Sequence, residues 1–365
     1  MTSLETWPQS TVEHELRLKE YQVALETVRE VAHQSRILDY DYIGRSNHLL
    51  IKDETEQTIG SFKIRGAYNK MRSLEPGTAV VAASAGNHAQ GVALAAATLE
   101  MPATIFIPAD APDCKKDAIR YFGGDFVSLN LDAKTYDEAQ QLAENFADLH
   151  NATPVHPFDD DAVIHGQGTI GLEILAQVPD VHRIFVPIGG GGLAAGVAEA
   201  VKLQNPDVSI VGVQLKGSDS AQRSLQNGFL TPASAPNDLS DGTKVGLVGE
   251  KTFARIANYV DEIMVISEID LGAELFTWLN IAEELRPVYG STADDVIPEA
   301  AGALSLAGAK VYAQQYPDLH GETWVAIKSG RNFDESKLNR LIEKWHDDKV
   351  CSELDSCVAA ATITH

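Results

Sequence analysis

The sequence predicts an α/β protein whose mostly parallel sheets are buried on both faces. Short, continuously apolar runs recur along the 365 residues: 79–83 (AVVAA), 103–107 (ATIFI), 126–129, 183–188 (RIFVPI), 209–213 (SIVGV), 263–266 and 323–327 (TWVAI). Between them lie stretches of helical composition, 135–149 and 194–203 among them. Strands that are apolar throughout, rather than alternating, need helices over both faces. Near the N-terminal end, 16–32 (LRLKEYQVALETVREVA) reads as a helix. Leu338, Leu341, Ile342 and Trp345 fall at i, i+3, i+4 and i+7, which predicts a further amphipathic helix, and 359–365 reads as a frayed tail. There is no internal repeat and no low-complexity linker, so domain limits have to come from motifs.

Charge narrows the function. Lys and Arg total 29 against 52 Asp and Glu, a formal net charge of −23. Such a surface repels phosphate backbones and anionic membranes, so neither nucleic acid nor membrane is an expected partner. At 44% hydrophobic and 22% charged residues, the composition is that of an ordinary globular chain. The length fits roughly two domains of ~150 residues. No apolar run approaches the ~20 residues of a membrane span. Residues 1–20 carry Glu5, Glu13 and Glu15 where a leader would be basic and then apolar. Cys114, Cys351 and Cys357 make neither a disulfide framework nor a zinc pattern. A cytoplasmic protein that handles a small molecule is expected.

Residues 183–203 read strand, then Gly189-Gly190-Gly191-Gly192, then helix (LAAGVAEAVKL). A glycine turn at a helix N-terminus gathers bare N–H groups and the positive end of the helix dipole, which suits a phosphate. Gly190-x-Gly192-x-x-Ala195 formally fits a dinucleotide fingerprint. The next strand, however, is followed by Gln214 where a ribose-binding acid is needed. A P-loop requires Gly-Lys-Ser/Thr after the glycines, and Leu193-Ala194 stands there instead. Four glycines in a ligand-free turn would lose roughly 1 kcal/mol each in chain entropy with nothing to pack. A small phosphate-bearing cofactor is the better reading.

Two further segments bear on the cofactor. Ser61-Phe62-Lys63-Ile64-Arg65-Gly66-Ala67 sets a lysine between apolar neighbours at the start of a helical pattern. Desolvation there lowers the lysine pKa, as a lysine that bonds a carbonyl requires, although most lysines beside a phenylalanine are surface residues. Ser84-Ala85-Gly86-Asn87-His88-Ala89-Gln90-Gly91 follows the AVVAA strand and opens a second helix, whose N–H groups suit a carboxylate. Its alternative reading is a capped helix with incidental polar residues.

Together these segments resemble the fold-type II pyridoxal-phosphate enzymes, those with the tryptophan synthase β-like fold. The resemblance is to the threonine dehydratase (threonine ammonia-lyase) and serine dehydratase-racemase family. It runs in order from Lys52-Asp53-Glu54 through SFKIRGAY, SAGNHAQGVALAA, 119–124 (IRYFGG), His156-Pro157-Phe158-Asp159, Gly166-Gln167-Gly168-Thr169, the four glycines, Asp241-Gly242-Thr243 and Glu299-Ala300-Ala301-Gly302-Ala303 to Ser329-Gly330-Arg331-Asn332. Cysteine-synthase relatives carry SxKDR and TSGN instead, so the dehydratase branch fits better.

The resemblance implies pyridoxal 5'-phosphate in a cleft between two α/β domains. The larger would comprise 1–77 and 159–330, the smaller 78–158, with 331–365 a C-terminal helix and tail and no regulatory domain. Lys63 would carry the cofactor and then act as acid and base at the substrate Cα. Phe62 would pack near the ring, and Asn87 would bind the 3-hydroxyl. Gly189 to Gly192 and Leu193 would hold the phosphate, Ser329 would face the ring nitrogen, and Glu299 would line the cofactor site. Ser84, Asn87 and His88 would take the substrate carboxylate. The implied activity is α,β-elimination from a β-hydroxy amino acid, threonine or serine, to a 2-oxo acid and ammonia, in a homodimer or homotetramer.

Departures from the family pattern limit this. Ala85 follows Ser84 where racemases have a second serine, which disfavours racemisation. Gln214 lacks the charge that a divalent cation prefers, so no metal is expected. The segments 35–43 (SRILDYDYI) and 285–298 also differ and leave the substrate open. His156 and His165 are expected in turns around the cofactor, and Asp159-Asp160-Asp161 as a helix cap rather than a metal cluster. Lys115 matches a family position without an assigned role, and Cys114 reads as a small, partly buried residue.

Overall fold

The computed structural model describes residues 10–40, 47–236, 239–289 and 296–332. The expected helix over 338–345, the tail, Cys351 and Cys357 lie outside them. Two sheets organise the described chain. Across the larger lie, in spatial order, β1 (Ile37–Asp39), β2 (His48–Asp53), β10 (Thr323–Lys328), β7 (Val181–Pro187), β8 (Ser209–Leu215) and β9 (Glu262–Ile266). All neighbours are parallel except the antiparallel pair β1 and β2. The smaller sheet is wholly parallel, in the order β5 (Val127–Ala133), β4 (Ala103–Pro108), β3 (Val80–Ala83) and β6 (Thr153–Pro154).

The helices are α1 (Thr11–Val28), α2 (Lys63–Arg72), α3 (Asn87–Leu99), α4 (Asp113–Gly123), α5 (Tyr136–His150), α6 (Asp161–Gln177), α7 (Gly192–Gln204), α8 (Ser220–Asn227), α9 (Glu250–Tyr259), α10 (Glu268–Tyr289) and α11 (Ala300–Gln315). They cover both faces, as the apolar runs require. On β7, Ile184 and Val186 join Ile164, Val197 and Ile256 in one core. Phe185, between them, joins Leu304, Tyr312 and Trp324 in the other. The smaller sheet repeats the pattern, with Ile105 packed beside Ala89 and Val92 of α3, and Phe106 beside Ala139 and Ala143 of α5. Each such aliphatic or aromatic side chain contributes about 1.5–3 kcal/mol on burial.

The expected strands appear within a residue or two, apart from β5, which runs four residues further. β1, β2 and β6 have no counterpart among the apolar runs. β1 is only half-buried, β2 has an exposed first residue, and β6 is two residues long. α1 starts at Thr11, earlier than the expected 16–32, because the Ser10 hydroxyl accepts the Glu13 N–H at 3.2 Å and caps the helix there.

Candidate active site

The lysine segment is clamped to the end of β10. Ser61 bridges antiparallel to Gly330, the Phe62 N–H donates to the Ser329 carbonyl at 3.1 Å, and the Arg331 N–H donates to that of Gly60 at 3.0 Å. Lys63 is therefore the first residue of α2. Beneath it, Arg65 is fully buried between Glu54 and Glu173, at 2.8 and 2.7 Å, and Lys52 reaches Glu173 at 2.6 Å. These opposed charges offset one another's desolvation and pin α2 to β2 and α6. Gly66 lets α2 approach α6: a Cβ there would stand 2.8 Å from the Val163 carbonyl.

Lys63 Nζ donates to the Pro157 carbonyl at 2.8 Å and lies 5.2 Å from the centre of the Phe62 ring. Burial pushes its pKa down to about 8, against the opposing pull of Glu299. This lysine is held ready to lose its proton. The neighbouring Phe158 packs on the four-glycine turn, since a Cβ on Gly192 would come within 2.9 Å of the Phe158 Cβ, and one on Gly190 would enter the ring.

The turn is a cradle that side chains would fill. A Cβ on Gly189 would meet Thr243 Cα at 2.9 Å, and Gly191 has φ +95° with Thr252 and Ile256 at 2.9 Å. Gly191 is the N-cap of α7 and supplies no side chain to its first-turn N–H groups. Leu193 is buried in the apolar core, which leaves its N–H as what it offers a ligand. The residues present fit a phosphate: bare N–H groups, a helix N-terminus, and a nearby deprotonable lysine.

A second bare N-terminus comes from the smaller sheet. Gly86 is the N-cap of α3 and gives no side-chain cap, while the Ser84 hydroxyl accepts the Gly86 N–H at 3.2 Å. Asn87 Nδ2 donates to Glu299 Oε1 at 2.5 Å, and Asn87 Oδ1 accepts from Asn332 Nδ2 at 2.7 Å. Burial raises the Glu299 carboxyl to about 7, with the Asn87 hydrogen bond opposing. Gly330 makes room here, because a Cβ on it would enter Glu299 and lie 3.1 Å from Asn87 Nδ2. Ser329 is buried, with its hydroxyl on the Ala301 carbonyl at 3.2 Å.

The structure thus brings Lys63, Phe62, Asn87, Glu299 and Ser329 together, with the glycine turn joined to them through Pro157-Phe158. His88 turns away. Its Nε2 lies 2.7 Å from the Val155 carbonyl, and burial and the Lys63 charge lower its pKa to about 3. It is a neutral, structural donor at that nitrogen.

The remaining polar residues divide. His156 Nδ1 accepts the N–H groups of Phe158 and Asp159, a turn as expected. His165 is not in a turn but on α6, edge-on to Tyr21 at 4.8 Å. Asp160 caps α6, whereas Asp159 caps α9 by accepting from Glu250, Lys251 and Thr252, and Asp161 pairs with Arg255 at 3.0 Å. Gln214 lies inside β8, bonded to Ser218 and Gln222. Cys114 is exposed rather than partly buried. Among the described residues no group of three or more His, Cys, Asp or Glu side chains is placed to hold a metal ion.

Pro157, Phe158 and Asn332 join the site without any pattern in the sequence that marks them. Pro157 acts through a carbonyl, which no residue pattern announces. All three lie in the family-like stretches His-Pro-Phe-Asp and Ser-Gly-Arg-Asn.

A lysine of lowered pKa beside a glycine cradle at a helix N-terminus defines a protein built to hold a small phosphate-bearing carbonyl compound. Residues 31–330 match the family described as pyridoxal-phosphate dependent enzyme, and the chain belongs to that family. It is 40% identical over 326 residues to threonine dehydratase 2 biosynthetic, chloroplastic, of Solanum lycopersicum, covering 88% of this chain and 51% of that protein. It is 37% identical over 334 residues to the L-threonine ammonia-lyase of Thermotoga maritima, covering 90% and 79%. The processed form of threonine deaminase isoform 2 from Solanum lycopersicum superposes with a TM-score of 0.83 at 36% identity, over 94% of this chain and 91% of that one. The chain therefore spans about half the length of the full tomato relative.

Proposed function

We propose that the chain is a pyridoxal-phosphate-dependent ammonia-lyase that converts a β-hydroxy amino acid, L-threonine or L-serine, to a 2-oxo acid and ammonia. The observation that carries this reading is Lys63: buried, lowered to about 8, and hydrogen-bonded to Pro157, whose neighbour Phe158 packs on the glycine turn that opens α7 without a side-chain cap. The names of the relatives support the substrate.

The N–H groups of Gly189 to Gly192 and Leu193 would hold the phosphate. Phe62 would flank the ring, Asn87 would face the 3-hydroxyl, and Ser329 would offer the ring nitrogen a neutral hydroxyl. Pyridoxal phosphate, when bound, supplies an electron sink for negative charge at the substrate Cα. Lys63 Nζ takes the Cα proton. A fall from 10.5 to about 8 raises its neutral fraction at pH 7 by two to three orders of magnitude. The first-turn N–H groups of α3 and the Ser84 hydroxyl bind the substrate carboxylate and fix which Cα bond faces Lys63. Ala85, beside Ser84, has no group to return a proton from a second face, which favours elimination over racemisation.

Residues 78–158 form the smaller domain in this reading, and 1–77 with 159–330 the larger. The protein is a cytoplasmic homodimer or homotetramer, which light scattering would measure. No helix among the described residues is long and apolar enough to cross a membrane.

Borohydride reduction of the loaded protein should place a pyridoxyl group on Lys63 in a peptide map. L-Threonine and L-serine should give 2-oxo acid and ammonia. Formation of D-amino acid without oxo acid would overturn the assignment.

A further inference from the structure

We propose that Asn332 is a positioning residue: it holds the Asn87 amide the way round that presents a donor, not an acceptor, to pyridoxal phosphate. The inference rests on the cofactor reading above and goes one residue further from the cofactor.

An amide side chain is nearly symmetric in shape, so something outside it must decide which end is oxygen. At Asn332 a main-chain carbonyl decides. Its Nδ2 lies 2.6 Å from the Ile59 carbonyl, which can only accept. The same nitrogen is 2.7 Å from Asn87, so the Asn87 atom facing it must be the oxygen. The Asn87 nitrogen is thereby sent to the other side, where Glu299 Oε1 accepts one hydrogen at 2.5 Å. One N–H of Asn87 is left for the cofactor. Reversal would set the Asn87 nitrogen against the Asn332 nitrogen and lose that bond whether or not Glu299 holds its proton.

The backbone is shaped to admit this relay. Gly60 has φ +70°, and a Cβ on it would lie 2.7 Å from Asn332 Oδ1. Asn332 is two residues beyond Gly330, the residue that bridges to Ser61. The relay therefore runs from the end of β10 to the first residue of α3, across from one sheet to the other.

The test is a double-mutant cycle on pyridoxal-phosphate affinity, with the absorption band of the lysine-bound cofactor as a second readout. Asn332→Asp keeps the size and places oxygen where the donor was. It should weaken binding about 10-fold and shift the band, since a hydrogen bond in a buried site is at stake. Asn87→Ala should do about the same. The double variant N87A/N332D should bind within about twofold of N87A if Asn332, which also contacts the Ile59 carbonyl and Gln90 Oε1, reaches the cofactor through Asn87. If the two losses multiply, or if N332D keeps the parental affinity and band, the inference falls. A parent protein that takes up no pyridoxal phosphate sinks the cofactor reading and this inference with it. Melting of the cofactor-free variants monitors folding. Should N332D fail to fold, Asn332→Ser, too short to reach Asn87, completes the same cycle.

Discussion

Burial moves Lys63 and Glu299 toward one another on the pH scale, the lysine down to about 8 and the carboxyl up to about 7. Each charge favours the other, yet desolvation is the larger influence on both. For Lys63 the consequence is kinetic. The neutral amine captures an aldehyde, so uptake of pyridoxal phosphate by the cofactor-free protein should accelerate with pH and level off above about 8. Stopped-flow absorbance would measure it, and a midpoint near 10.5 would contradict the buried lysine. For Glu299 the consequence is stability. The folded carboxyl holds its proton more tightly than the unfolded one, so the folded state loses stability as pH climbs from 4.5 to about 7. Glu299→Gln cannot ionise and still offers Asn87 an acceptor. In denaturant titrations it should gain on the order of 3 kcal/mol over the parent at pH 8 and little at pH 4. An equal gap at both pH values would refute this. Lys63 and the glycines were legible because their chemistry is local: apolar neighbours in one case, adjacent glycines in the other. Asn332 was not, because its partner Asn87 is 245 residues away and only the fold brings them together.

Among the elements, α2, α3, α4, α7, α8 and α11 all start without a side-chain cap, but α3 and α7 do so on a glycine. Ser10, Thr135 and Asp160 cap α1, α5 and α6, and Asp159 caps α9 from another part of the chain. Glycine stands at the N-caps of α3 and α7 without a side-chain cap. A bare helix end costs about 1 kcal/mol relative to a capped one, and an anionic ligand recovers that when it binds. Gly191→Ala should therefore damage binding and fold together. At φ +95° an alanine is strained, and its Cβ would press Thr252 and Ile256 at 2.9 Å. The expected outcome is a melting temperature several degrees lower and pyridoxal-phosphate affinity at least about 10-fold weaker. Gly246→Ala serves as the control, because nothing lies within 4 Å of a Cβ there. Parental binding by Gly191→Ala would show that the turn is only a tight connection. Elements buried on both faces, such as β7 and β8, announce themselves as unbroken apolar runs. The acidic run at Asp159 to Asp161 announces a cap, but not that one aspartate caps the next helix, one caps a distant helix and one pairs with Arg255.

Over the whole molecule, sheet order is where the sequence falls silent. β2 and β10 lie side by side although most of the chain separates them, and the lysine turn is fixed by that pairing. Lys115 of α4 reaches Asp241 at 3.5 Å, close to the Thr243 that braces Gly189. Around this site the chain carries −23 formal charges. The long-range field therefore repels a phosphate that the contact-range N–H groups attract, and the two act over different distances. Salt separates them. Raising ionic strength from about 0.01 to 0.15 M shortens the screening length from about 30 to about 8 Å, which removes the outer repulsion and leaves buried contacts nearly untouched. The association rate of pyridoxal phosphate should therefore rise a few-fold with salt while its dissociation rate stays constant, the reverse of a cationic binding surface. Stopped-flow binding at fixed pH would measure both. An association rate that falls with salt would mean that a positive surface near the cleft draws the phosphate in, and that the net charge is not what an approaching anion meets.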